Sequence, residues 1–153
     1  MNSHIKSTSI SIIAISCLLI LLWVYTAMSK LTGFAKFEQE MAAQNFGPSS
    51  TEILVWTIPT VELIAAFALL FGKTRLYGFV LSFVLLLLFT GYIALVLLGS
   101  FEKIPCSCGG VLQQLGWQAH FWFNVFFLLL SAMGIIIQRK QHISQTHIRY
   151  NKI

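Results

Sequence analysis

Two cysteines separated by one residue, Cys106 and Cys108, form the motif of this chain with the clearest chemistry. They lie in a polar segment, residues 105–110, between two hydrophobic stretches. A disulfide between residues so close in sequence closes a small ring that seldom reaches ideal torsion angles, and strain makes such a bond easier to reduce. The two glycines that follow the pair leave unhindered amides that can stabilise a thiolate. The pair therefore predicts a thiol–disulfide exchange site.

Two other interpretations of the cysteine pair remain open. The pair could form a permanent disulfide that only holds its loop, or it could bind a metal. A structural zinc site needs four ligands, whereas this segment offers two sulfurs and, at best, His120. We therefore predict no metal site. The third cysteine, Cys17, lies inside a hydrophobic stretch and is expected to be a small buried apolar residue.

Three polar or aromatic residues follow the cysteines at the start of the next hydrophobic stretch. His120 titrates in a range that suits proton transfer during thiol exchange, although an imidazole bound to loop carbonyls is equally compatible with its position. Asn124 is four residues further on and shares its helical face. We expect it to hold two helices together rather than to react. Trp117 suits the membrane interface.

One carboxylate, Glu62, lies near the middle of another hydrophobic stretch, where a charge is costly and is usually partnered inside a bundle. Three roles are compatible with Glu62: a proton relay, a polar wall of a quinone-like pocket, or an interhelical hydrogen bond. Pro59, about one turn earlier, is expected to kink the helix. Lys30 follows the first hydrophobic stretch and is expected to extend towards the interface, so that Glu62 lies too deep for it to reach.

Four hydrophobic stretches position these residues. Each has close to the length of roughly 20 residues that a helix needs to cross a bilayer. They cover residues 10–27, 53–71, 76–98 and 119–137. Helices are expected because a lipid-exposed lone strand would leave its backbone unpaired. The sequence predicts an all-α integral membrane four-helix bundle in a single domain, residues 1–153, with a basic tail over 138–153.

Charge predicts the orientation of these spans. Seven cations lie in the amino terminus, the second connector and the tail, against three in the other two connectors, which also carry four of the five glutamates. Positive charge favours the cytoplasmic side. Both termini are therefore expected on the cytoplasmic side of a bacterial inner membrane. The cysteine segment is then expected in the periplasm, where disulfides persist.

The first outward connector has a pattern of its own. Phe34, Phe37 and Met41 recur at three- and four-residue spacings among charged residues, with Phe46 extending the pattern. This predicts a short amphipathic helix at the membrane surface.

Composition supports a membrane protein. Of the 153 residues 57% are hydrophobic and 10% are charged, against about 25% charged in soluble domains. The lipid bilayer is thus the first predicted partner. The net charge of +5 is explained by an anionic membrane surface, and no recognition motif indicates nucleic acid.

The chain resembles the MauE/DoxX-like family of redox-associated membrane proteins. The cysteine segment with the Trp117 and His120 that follow it carries most of the resemblance. Weaker matching segments are residues 29–31, 61–63, 73–76, 89–92 and 123–124. The resemblance implies a four-helix membrane bundle that, in methylamine-utilising bacteria, takes part in maturing the disulfide-rich small subunit of methylamine dehydrogenase. Cys106 and Cys108 match the family's pair, but Ser107 and Gly109 depart from its commoner Cys-Gly-Cys-Phe-Gly form.

The resulting hypothesis is a membrane thiol–disulfide oxidoreductase, or an accessory of one. Cys106 and Cys108 would exchange electrons with a thioredoxin-like periplasmic protein or an exported cysteine-containing substrate, and His120 would assist. We expect no cofactor. A quinone-coupled enzyme is a weaker alternative, because such proteins usually carry two cysteine pairs, and a non-enzymatic scaffold or small transporter is another.

Overall fold

The computed structural model describes residues 2–42, 48–98 and 116–150, with side chains over 10–42, 50–98 and 118–141. All regular structure in these ranges is helical. The helices are α1 (Asn2–Thr32), α2 (Phe34–Ala42), α3 (Pro48–Leu70), α4 (Arg75–Leu97) and α5 (Trp117–Tyr150).

Four of these helices have the length and composition of membrane spans. The apolar windows are Ile10–Thr32, Ser50–Leu70, Arg75–Leu97 and Gln118–Gln141, each long enough to cross about 30 Å of hydrocarbon. The chain is therefore a multi-pass membrane protein, and the predicted all-α four-helix bundle is confirmed. α1 and α5 run beyond their apolar windows, because a helix does not have to end where lipid gives way to water.

The core lies along one face of α1, whose buried residues recur every three or four positions. That face packs against α3 through Ala65 and Ala66, small residues that allow two helices to approach closely. The Trp23 indole Nε1–H donates to Ser82 Oγ at 2.8 Å and joins α1 to α4 inside the bundle.

Two glycines set the close packing of α4. A Cβ on Gly78 would lie 2.8 Å from the Leu69 backbone nitrogen, and one on Gly134 would lie 2.5 Å from a Phe79 ring carbon. Neither position has room for a side chain without movement of its neighbour. The Phe79–Gly134 contact joins the first part of α4 to the last part of the α5 span, so these two helices are antiparallel.

The α3–α4 turn is closed by side chains that bind the last carbonyls of α3. Thr74 Oγ1 donates to the Ala68 carbonyl at 2.8 Å, and Arg75 Nε donates to the Leu69 carbonyl at 3.3 Å. These bonds satisfy acceptors that a helix end would otherwise leave unpaired. Arg75 is consequently held at the junction of α3 and α4.

The amphipathic helix predicted in the first connector is confirmed as α2. Phe37 and Met41 are buried and pack with Val55 of α3. The ring of Phe34 lies 4.8 Å from that of Trp56. Phe46 lies outside the described residues.

Cys17 is exposed on α1, so the prediction that it is buried was wrong. Its neighbour Ser16 faces the core, and Cys17 lies on the side of α1 that the other helices leave uncovered. On a membrane helix this side meets lipid, which accepts a small apolar thiol as readily as a protein core does.

Candidate functional site

The most polar feature inside the bundle is an ion pair between α1 and α3. Lys30 Nζ donates to Glu62 Oε1 at 2.8 Å, and the two side chains are 2% and 1% exposed. Glu62 is therefore partnered, and the expectation that it lies too deep for Lys30 was wrong.

The direction of the helices explains how the two side chains meet. Lys30 contacts Glu62, and the later residue Phe34 contacts the earlier residue Trp56. Residue numbers therefore rise along α1 and α2 where they fall along α3, so the two segments run antiparallel. Side chains on a helix lean towards its N-terminus. In an antiparallel pair, Lys30 therefore leans into the span and Glu62 leans back towards it.

The surroundings of the pair come from α1 and α2. Lys30 Nζ also donates to the Thr26 carbonyl at 3.3 Å, and it lies 6.0 Å from the centre of the Phe37 ring. Glu62 Oε2 has no hydrogen-bond partner among the described residues. The sequence did not assign Thr26 or Phe37 to this site, although the i, i+4 spacing of Thr26 and Lys30 was available as a signal.

The pair joins α1 to α3 inside the bundle. Removing both charges from water is costly, and the cost is offset only while both partners are present. Pro59 lies within α3, one turn before Glu62. α3 continues as a single helix through it.

His120 and Asn124 occupy one buried face of α5. His120 is 8% exposed and lies in the first turn after Gly116. Asn124 Nδ2 donates to the His120 carbonyl at 3.0 Å, so this bond lies within α5, where we expected one between helices. α5 also packs against α1. Because the two helices cross the bundle in opposite directions, the start of α5 and the end of α1 lie at the same end of it.

Two of the predicted site elements fall outside what is described. Cys106 and Cys108 lie in residues 99–115, and the Trp117 side chain is likewise not described, although Trp117 begins α5. Both ends of that segment, Leu98 and Gly116, are at the end of the bundle where Lys30 and His120 lie. Within the described side chains, no three His, Cys, Asp or Glu residues group closely enough to hold a metal ion.

The comparisons with known proteins give one finding. The family model described as "Methylamine utilisation protein MauE" matches residues 8–137. This range includes the four apolar windows almost entirely, the ion pair, the cysteine segment and His120. No curated protein and no solved structure matches the chain.

Proposed function

The chain belongs to the MauE family of methylamine utilisation proteins, and on that premise we propose that it exchanges thiols and disulfides through Cys106 and Cys108. The observation that carries the proposal is the position of His120. It is buried in the first turn of α5, at the end of the bundle where the cysteine segment leaves α4 and enters α5. A proton-transfer group therefore lies at the end of the bundle where the connector that carries the two cysteines begins and ends.

The proposed reaction balances in two steps. One thiol of the pair gives its proton to His120, and its thiolate attacks a partner's disulfide to form a mixed disulfide. The partner thiolate that leaves takes a proton. The second cysteine then attacks the mixed disulfide, releases the other partner thiol and closes the Cys106–Cys108 bond. Two electrons pass to the partner, and the reverse sequence oxidises a partner's dithiol.

The proposed location is a bacterial inner membrane, with both termini in the cytoplasm and the cysteine segment in the periplasm. The charge asymmetry of the sequence supports this orientation. Four described cations, Lys73, Arg75, Arg139 and Lys140, lie at the α3–α4 turn, the start of α4 or the end of the α5 span, and Lys30 and Lys36 lie at the other end of the bundle. A thioredoxin-like periplasmic protein or an exported cysteine-containing protein fits the chemistry of the partner.

Mixed-disulfide trapping tests the proposal. Purified protein is reduced, mixed with oxidised glutathione as the probe, quenched with acid and analysed by mass spectrometry. We expect an adduct on the wild-type chain or on one of the single variants Cys106→Ser and Cys108→Ser, and none on the double variant. Cys17→Ser is the matched control and should give the wild-type result, because Cys17 faces lipid. An equal adduct on the double variant would refute the proposed site.

A second candidate function is a non-enzymatic scaffold, favoured by the Lys30–Glu62 pair, which joins two helices without any need for redox chemistry. A scaffold would keep its cellular function when both Cys106 and Cys108 are replaced by serine. A thiol–disulfide exchange protein would lose its cellular function with the same replacements.

A further inference from the structure

The end of the bundle opposite the cysteine segment carries a cluster of cations. Lys73, Arg139 and Lys140 are exposed and Arg75 is half-buried. Neither the α3–α4 turn nor the last turn of the α5 span contains a carboxylate. These cations therefore have no acidic partner on their own elements, and they lie at the depth where a helix leaves the hydrocarbon.

The packing of α4 on α5 brings one of these cations to the interface between the two helices. Phe79 contacts Gly134, and Arg75 precedes Phe79 by four residues, on the same face of α4. Gln138 follows Gly134 by four residues, on the same face of α5. Because the helices are antiparallel, Arg75 and Gln138 lie at the same level of that interface.

Gln138 has an unsatisfied acceptor at that level. Its Oε1 is buried and has no hydrogen-bond partner among the described residues. Arg75 uses Nε for the Leu69 carbonyl, a bond that leaves its terminal nitrogens for another acceptor. The α4–α5 interface thus has one cationic donor at the same level as a buried oxygen that requires a donor.

We propose that this end of the α4–α5 interface binds the headgroup of an anionic phospholipid that carries a free hydroxyl, such as phosphatidylglycerol. The phosphate accepts hydrogen bonds from Arg75, and a glycerol hydroxyl donates to Gln138 Oε1. The exposed Arg139 and Lys140 add positive charge at the same end of the bundle. Basic pockets between helices at a membrane face are suited to such headgroups, and guanidinium groups match phosphate geometry. The acyl chains extend along the lipid-facing side of α4 and α5.

Native mass spectrometry of the full chain, exchanged into detergent with defined lipids, measures this binding. We expect the wild-type chain to retain phosphatidylglycerol in preference to phosphatidylcholine. Combining Arg75→Gln with Arg139→Gln should weaken that retention by about 25-fold, since each cation near the surface contributes about fivefold. Lys36→Gln with Lys103→Gln removes the same charge from other connectors and should leave retention unchanged. Equal retention by all three proteins would overturn the proposal.

Two further arms test the headgroup itself. The wild-type chain should prefer phosphatidylglycerol to phosphatidic acid, which lacks the hydroxyl, and Gln138→Leu should reduce this preference. An unchanged preference would overturn the assignment of Gln138. Inorganic phosphate alone should not displace the lipid, and displacement would show that a free anion is the ligand. If the Arg75 variant does not fold, Arg139→Gln with Lys140→Gln, both at exposed positions, makes the same test of the cations.

Discussion

Replacing Lys30 with methionine should destabilise the bundle by about 3–5 kcal/mol, the cost of removing one partner of a buried ion pair. The variant leaves Glu62 inside the bundle without its ammonium partner, at a position where its side chain is 1% exposed. Unfolding of the purified protein in bicelles by a titration with sodium dodecyl sulfate, followed by circular dichroism, measures the change.

The matched variants separate the pair from charge in general. Lys30→Met combined with Glu62→Leu removes both charges, so this double variant should recover most of the lost stability. Lys36→Met removes an exposed charge, 3.9 Å from Glu40, and should change stability by less than about 1 kcal/mol. Wild-type stability for Lys30→Met would contradict the account of this pair. A double variant that loses more stability than the two single variants lose together would contradict it as well.

Replacing His120 with alanine should slow thiol exchange by about 10²–10⁴-fold, the usual contribution of a positioned general acid or base. The imidazole is the proton acceptor of the proposed first step, and the attacking cysteine must lose its proton before it can react. Stopped-flow measurement of exchange with oxidised glutathione gives the rate, and circular dichroism confirms that the helices are retained.

Asn124→Ala is the control for this variant. It removes the hydrogen bond to the His120 carbonyl but no titrating group, so its exchange rate should stay within a few-fold of wild type. Added imidazole should partly restore exchange to His120→Ala. A His120→Ala rate within threefold of wild type would exclude the imidazole from the reaction and leave the histidine a structural role.

The architecture could be predicted because it depends on long, simple patterns. Four apolar stretches of membrane length specify four helices. Phe34, Phe37 and Met41 specify the contact face of α2, because that helix also has a polar face and its periodicity is therefore readable.

The faces of the spanning helices could not be predicted in the same way. In a bilayer both the core side and the lipid side of a helix are apolar, so Cys17 and Ser16 could not be assigned to their sides from residue type. Only packing separates them. The same limit explains why the Phe79–Gly134 contact was not foreseen.

The ion pair was missed for a geometric reason. Counting residues along each span places Lys30 near one end and Glu62 near the middle, and this comparison ignores the opposite lean of side chains on antiparallel helices. Glu62 was singled out by its cost in a membrane, and Lys30 was expected to extend to the interface. The contact between them required the coordinates of both helices.

Labelling of the cysteines in intact cells tests the central claim most directly. Cells that express the chain are treated with a membrane-impermeant maleimide, with and without prior reduction, and the modified residues are mapped by mass spectrometry. The account predicts that Cys106 and Cys108 are modified only after reduction, while Cys17, which faces lipid, stays unmodified under both conditions. Modification of both cysteines only after the cells are lysed, without any need for a reductant, would contradict it.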